Sequence, residues 1–267
     1  MACAGEAPDS QVETVLREGE LALDGLLVES SNHAMVGVVR HGDRAIRCVY
    51  KPIRGERPLW DFPRGELARR EVAAYLVANL AGWRCVPPTV FRDGPAGPGM
   101  VQQWVADHDD EAVARIFRPE AVPQGWLPVF RAEDEEGRPL VVAHADAEAL
   151  RRLAVFDAVV NNADRKASHL LARRHGAVLG VDHGLTFHAE PKLRTILWGW
   201  AGQPIPETVG AGVETLHDRG DALDAALADH LDGAELDALH ERIETLRREP
   251  VFPPPPTDRH AIPWPPL

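Results

Sequence analysis

The sequence predicts an α+β chain folded in two lobes, a small β-rich N-lobe ahead of a mainly helical C-lobe. Three observations carry that expectation. Short extended runs broken by turn residues fill the first hundred or so positions, helical periodicity dominates beyond about residue 145, and polar residues crowd one loop in that second half, followed by an Asp-x-Gly turn. A chain of 267 residues can bury one large core or two modest lobes sharing a cleft.

The elements follow in order. QVETVLREG reads as a short helix, and ELALDG, LLVESS, AMVGVVR and RAIRCVYK as strands, interrupted at Gly25 and at the His41-Gly42-Asp43 turn. RGELARREVAAYLVANLAGW sets Leu67, Val72, Tyr75, Leu76 and Leu80 on a helical spacing, with Gly82 where a helix would stop. VPPTVFR and GMVQQWV return to extended structure across the turn-forming DGPAGPG. Then come AEALRRLAVFDAVVN, DALDAALADHL and AELDALHERIETLRRE as helices. PVFPPPPTDRHAIPWPPL is too rich in proline for a helix or a central strand and is expected to be an extended surface tail or partly disordered. The expected division is 1–19, a leading segment with the short helix; 20–103, the N-lobe; 104–250, the C-lobe; and 251–267, the tail.

Composition excludes several classes of function. The charge is −12, and the Arg pairs at 69–70, 151–152, 173–174 and 247–248 are scattered, which argues against a nucleic-acid surface and against docking on anionic lipid. No window is apolar for long enough to span a membrane, so no integral membrane association is expected. MACAGEAPDSQ has neither a basic start nor an apolar run, and Cys3, Cys48 and Cys85 lack metal-ligand spacing, so the expectation is a cytoplasmic protein with reduced thiols.

The chemistry concentrates in VFDAVVNNADRKASHLL and the VLGVDHGLTFH that follows it. After a turn at His175-Gly176, a hairpin path would return Asp182 to the neighbourhood of Asp164. Phosphoryl transfer needs a carboxylate to orient the attacking hydroxyl, another to hold a metal on the phosphates and a cation to neutralise developing charge; Asp164, Asp182 and Lys166 can fill these roles in that order. The spacing matches the protein-kinase pattern H-R-D-L-x-x-x-N followed by D-F-G, with His169 in the position of the second metal ligand and Asp182-His183-Gly184 in the position of D-F-G. Asp164 as a turn cap and Asp-His-Gly as a plain tight turn are the ordinary alternatives. Upstream, Lys51 closes a strand and is a candidate for the nucleotide phosphates, with Glu71 on the next helix as its partner and Glu66 as a competitor. Ser30-Ser31-Asn32 offer hydroxyls and backbone N–H groups between two strands, without a glycine-rich run. No G-x-x-x-x-G-K-[ST] occurs, which disfavours a Walker-type NTPase.

YKP, REVAAYLVANLAGW with VPPT, GMVQQWV, NNADRKASHLL and VDHGLTF run in the same order as corresponding segments of the phosphatidylinositol 3- and 4-kinase-like superfamily, which the chain resembles over about residues 20 to 190. Within it the sequence is most similar to the type II phosphatidylinositol 4-kinases and to a bacterial family of uncharacterised proteins similar to them, with the HipA-like Ser/Thr kinases more distant. The resemblance implies a two-lobed protein-kinase-like fold with ATP in the cleft and Mg²⁺ or Mn²⁺ as the metal. It implies Lys51 on the phosphates with Glu71 as its partner, backbone groups of Gln103 and Val105 as the hinge that meets adenine, Asp164 on the acceptor hydroxyl and Asp182 on the metal.

The departures matter too. His169 stands where the family has Asn, and an imidazole is a poorer ligand than an amide oxygen for Mg²⁺, though acceptable to Mn²⁺; it could equally hydrogen-bond an aspartate. His183 replaces a packing aromatic and is expected to be structural. Trp198 and Trp200 lie where related kinases meet substrate, although core packing is their more ordinary use. The segment carries only Lys192 and Arg194 as bases, which favours a protein or small-molecule hydroxyl over a phosphoinositide as acceptor. Two other outcomes stay open: a pseudokinase that binds nucleotide and transfers nothing, and nucleotidyl transfer using the same residues.

Overall fold

The computed structural model describes residues 9–26, 34–57, 59, 62, 66–106 and 112–267, with His175 described by its backbone alone. Strand alternation builds the first layer. β1 (Glu20–Leu26), β2 (Met35–His41), β3 (Arg44–Pro52), β4 (Thr89–Gly94) and β5 (Gly97–Gln103) form an antiparallel sheet in the order β1-β2-β3-β5-β4. Cys48 and Tyr50 of β3 share one face of that sheet and bury against Val12, Val15 and Leu16 of helix α1 (Asp9–Glu18), together with Val39, Val90 and Val101. Because successive strand residues point to opposite faces, Lys51 is delivered to the other side.

That other side is covered by helix α2 (Leu67–Leu80), which Gly82 terminates at φ +73. α2 is buried around most of its circumference. Ala68 and Val72 pack with Met100 of β5, while Ala73, Ala74, Tyr75, Val77 and Ala78 join the large core shared with the helices of the second half. The helix therefore belongs to both layers, which explains why its apolar positions do not confine themselves to one stripe.

A second antiparallel sheet, in the order β6-β8-β7, follows: β6 (Ala114–Phe117), β7 (Trp126–Glu133) and β8 (Pro139–Ala145). Sequence patterning does not announce it, because Pro128 and Pro139 interrupt the strands and β7 is only partly buried along its length. The remainder is helical. α3 (Glu148–Val159) leads through the polar loop to the short hairpin of β9 (Leu170–Ala172) and β10 (Val178–Gly180), and α4 (Glu207–Asp218), α5 (Gly220–Leu227) and α6 (Gly233–Arg248) complete the core. α4 is unexpected from the sequence, since Gly210 and Gly212 weaken its helical signal. Gly212 is required by packing: a Cβ there would sit 2.1 Å from Nε1 of Trp83, whose indole N–H donates to Val209 O at 3.1 Å. α6 opens with a reciprocal capping box between Asp232 and Glu235.

Trp198 and Trp200 are buried, as their ordinary use suggests. The proline-rich tail is extended and tied down. Val251 bridges Pro204, Ala261 O accepts from Thr195 N and from Trp198 Nε1 (3.1 and 3.0 Å), and Pro266 O accepts from Ala167 N at 2.9 Å. Among the described residues no helix is long and apolar enough to cross a membrane.

His144 joins the second sheet to the helical core. Its Nε2 accepts the Gly199 N–H at 3.1 Å, its Nδ1 lies 2.9 Å from Ala145 O, and its ring packs on Trp200 with centroids 4.4 Å apart. Burial pushes its pKa down to about 4, against the smaller pull of the Ala145 carbonyl and Asp146, so the ring is neutral near pH 7. Between about 4 and the ordinary 6.5 the unfolded chain binds the extra proton and the folded chain does not. Stability is thus complete above 6.5 and falls as pH drops through that window, by about 3 kcal/mol from this group. Melting curves from pH 7 to 4 should show a decline whose slope is smaller in His144→Gln.

Candidate active site

Lys51 emerges from β3 facing α2, and its ammonium is shared by two carboxylates: Glu71 Oε1 at 2.6 Å and Asp182 Oδ1 at 2.8 Å. Burial alone would lower the Lys51 pKa, but Asp182 and Glu71 together raise it above the ordinary lysine value. The same ammonium holds Asp182 well below the usual carboxylate range. Glu71 is anchored in turn: its Oε2 accepts the His183 N–H at 2.8 Å, so the strand lysine, the helix glutamate and the Asp-His-Gly backbone close one circuit. Glu66, the competing partner, is occupied elsewhere, 3.1 Å from Arg70. Arg70 is almost completely buried, donates to Thr186 O at 2.5 Å and pairs with Glu235 of α6. Glu71 is therefore fixed by the residue beside it.

The polar loop is built from inside. α3 places Asp157 in the core, and Arg165 turns back to meet it, with Nε and Nη2 at 2.8 to 3.2 Å from the carboxylate oxygens and both side chains fully buried. Arg165 Nη1 also donates to Val181 O at 3.0 Å, and Nη2 lies 2.7 Å from His183 Nε2. A Cβ on Gly180 would come within 3.0 Å of this guanidinium, so the approach needs glycine there. Asn162 donates to Asp157 Oδ1 and accepts the Asp164 N–H, both at 2.9 Å. Asn161, in the left-handed region at φ 53, binds the carbonyls of His188 and Glu190 and the N–H of Lys192.

With Arg165 directed inward, its neighbours Asp164 and Lys166 pair with each other at 3.0 Å and remain partly exposed. Burial raises the Asp164 pKa, and Lys166 opposes the shift. His169 Nε2 stands 3.4 Å from Asp182 Oδ2, and its Nδ1 is buried without a hydrogen-bond partner. Burial lowers the His169 pKa to about 4 despite Asp182, leaving a neutral imidazole near pH 7. Asp182 itself adopts φ 60, and its side chain is 43% exposed. His183 is buried edge-on against Phe156, centroids 5.3 Å apart, in the packing place expected of it.

The structure thus brings Lys51, Glu71, Asp182 and His169 into one chain of contacts, with the Asp164–Lys166 pair close enough to Asp182 to feel its charge. Gln103 and Val105 lie at the end of β5, where the Gln103 N–H is already taken by Pro88 O at 2.9 Å. Of the expected hinge groups, the Gln103 N–H is therefore engaged within the fold. Ser30, Ser31 and Asn32 lie outside the described residues. A cavity of about 750 Å³, lined by Val12, Ile46, Arg84, Pro88 and Gln103, sits on the α1 face of the sheet, opposite Lys51, and is separate from the acidic cluster. Among the described residues no three His, Cys, Asp or Glu side chains converge as a self-sufficient metal site.

Sequence reading missed Asp157, Arg165 and Arg70. A signal existed for the first: a charged residue amid the apolar LAVFDAVV has to find a partner indoors. Asp157→Ala should leave the Arg165 guanidinium buried without a counter-charge and cost about 3–5 kcal/mol, whereas Arg152→Ala, which removes an exposed helix-surface pair with Glu148, should cost about 0.5 kcal/mol or less. Urea denaturation of the two variants checks the contrast.

No family model matches the sequence. A crystal structure of a Helicobacter pylori proinflammatory kinase, CtkA, superimposes with a TM-score of 0.50 at 8% identity, covering 89% of this chain and 94% of that one. With the sheet, α2 and the helical half described above, that likeness makes the fold a two-lobed, kinase-like one. Protein Rv2133c of Mycobacterium tuberculosis is 46% identical over 277 aligned residues, covering 99% of both chains. Identity at that level across the full length of both makes them relatives in one family, and the chain belongs to the family of Protein Rv2133c.

Proposed function

We propose that the protein is an ATP- and divalent-metal-dependent phosphotransferase that moves the γ-phosphoryl group to a hydroxyl acceptor, a protein or small molecule rather than a phosphoinositide. The observation that carries this reading is the Lys51 ammonium bridging Glu71 and Asp182 beside the partly exposed Asp164–Lys166 pair. A buried lysine held by a helix carboxylate, an acid on an Asp-x-Gly turn and a second acid on the preceding loop are the parts that positioning and charge stabilisation demand.

In this reading Lys51 hydrogen-bonds the nucleotide phosphates while Glu71 fixes its position. Asp182, its side chain 43% exposed, would hold a divalent cation, with His169 offering a neutral ring nitrogen within reach of the same carboxylate. The cation, when bound, neutralises phosphate charge. Asp164 accepts the hydrogen bond of the acceptor hydroxyl and takes its proton. As it does so, the acceptor oxygen bonds to the γ-phosphorus and the bond from that phosphorus to the bridging oxygen breaks, releasing ADP. Lys166 balances the charge that gathers beside Asp164.

A second reading, a nucleotide-binding pseudokinase, draws on His169, a neutral imidazole in place of an amide ligand. Two measurements separate the readings. ATP with Mg²⁺ or Mn²⁺ should raise the melting temperature by an amount equivalent to about 2.7 kcal/mol at a hundredfold excess over Kd, and Asp182→Ala should lose that metal-dependent gain. The absence of any gain in wild type under either metal would refute nucleotide binding, and with it both readings. Asp164→Asn should lower phosphotransfer by about 10²–10⁴-fold. The same variant should melt no lower than wild type, because the folded pKa of Asp164 is raised. In the window between the unfolded and folded values the folded state holds the extra proton, so stability declines as pH rises through it and the ionised group costs stability at neutral pH. A variant that transfers phosphate at the wild-type rate would remove Asp164 from the mechanism.

A further inference from the structure

Asp164 lines a cavity of about 560 Å³ whose other walls are Phe130 of β7, Arg194 and, from the C-terminal tail, His260, Ile262 and Trp264. The volume suits a small molecule or a headgroup. Three segments remote in sequence meet there: the second sheet, the stretch after Asp-His-Gly and the end of the chain.

Arg194 is the informative member. Its backbone is fixed to the polar loop on both sides, N–H to Asn162 O at 2.9 Å and C=O accepting the Arg165 N–H at 3.1 Å, so its placement beside Asp164 is set by the loop. Its guanidinium, half-buried, makes no ion pair or hydrogen bond among the described residues. It acts on Asp164 through space without touching it, while Lys166 pairs with that carboxylate at 3.0 Å. In a chain where acidic residues outnumber basic ones 41 to 29, an arginine at a cavity wall whose N–H groups no carboxylate takes up has donors to offer an entering anion. Across the cavity, Trp264 is 83% exposed and offers an uncovered flat face.

We propose that this cavity is the acceptor subsite and that the acceptor is a hydroxyl compound bearing its own anionic group, a phosphate or carboxylate, which Arg194 binds while the hydroxyl reaches Asp164 and Trp264 covers the carbon skeleton. The inference rests on the phosphotransferase reading and narrows it. Guanidinium recognises such oxyanions through two parallel N–H bonds, which fixes orientation as well as affinity.

The test is a tryptophan-fluorescence titration of the full chain with sn-glycerol 3-phosphate, glycerol, phosphatidylglycerol vesicles and phosphatidylcholine vesicles, in wild type, Arg194→Gln and Trp264→Phe, beside the ATP melting experiment. The expected result is a saturable change with an anionic probe and none with its neutral counterpart, weakened at least about tenfold in Arg194→Gln and absent in Trp264→Phe. Trp264 is too exposed for its replacement to threaten folding. A response to glycerol phosphate alone assigns a free metabolite, and one confined to phosphatidylglycerol vesicles assigns a lipid headgroup; either supports the subsite. No anion-dependent response, an equal response to glycerol, or one unchanged in Arg194→Gln overturns it. If ATP stabilises the protein and the anion is not taken, the subsite alone fails; if ATP does not bind, the phosphotransferase reading fails and the acceptor assignment with it.

Discussion

The Asp157–Arg165 pair is the constraint on which the site depends. Removing two charges from water is costly, and the cost is met only because every remaining polar atom of the pair finds a partner: Asn162 and Thr195 on the carboxylate, the Val181 carbonyl and the His183 ring on the guanidinium. Those partners are the elements that must be held in register. α3 supplies Asp157, the polar loop supplies Asn162 and Arg165, and the segment leaving β10 supplies Val181 and His183. Once Arg165 is turned inward, the residues on either side of it are left facing the cleft, which is how one buried cation exposes Asp164 and Lys166 together.

A second buried arginine does the corresponding work for the N-lobe. Arg70 ties α2 to the carbonyl of Thr186 and to Glu235 at the start of α6, where Glu235 also closes the capping box with Asp232. The neighbouring Glu71 therefore cannot swing away from Lys51 without stripping a buried guanidinium of its partners. A helix that moved between two positions would need an alternative set of acceptors for Arg70. The packing of α2 against α4 and α5 argues instead that the Lys51–Glu71 contact is a standing feature of the fold.

Much of this was legible in the sequence because the signals were local. Alternation in RAIRCVYK puts Lys51 at a strand end, the helical spacing of REVAAYL puts Glu71 on the following helix, and the turn residues around His175-Gly176 return Asp182 toward the loop. What stayed hidden depends on contacts between distant segments. Arg165 and Arg70 look like surface residues in any window, and only the packed core reveals that their partners are Asp157 and Glu235. α4 was masked by Gly212, kept for the approach of Trp83, and the second sheet by its prolines and weak burial. The tail was read by composition alone, which says it cannot be helical but not that its carbonyls pair with Thr195, Trp198 and Ala167.

The charge balance of the cleft explains why a divalent cation belongs to the proposed reaction. Three carboxylates, Glu71, Asp164 and Asp182, face two ammonium groups, Lys51 and Lys166, and His169 contributes no charge because burial keeps its ring neutral. A triphosphate entering such a site meets net negative charge, and Lys51 is already engaged by Asp182. A divalent cation held by Asp182 would offset both difficulties: it would supply positive charge to the phosphates and leave the Lys51 ammonium to them. Glu71, at 2.6 Å, would keep the lysine in place. Arg194, which touches none of these groups, adds its charge from the tail side and acts on Asp164 through space.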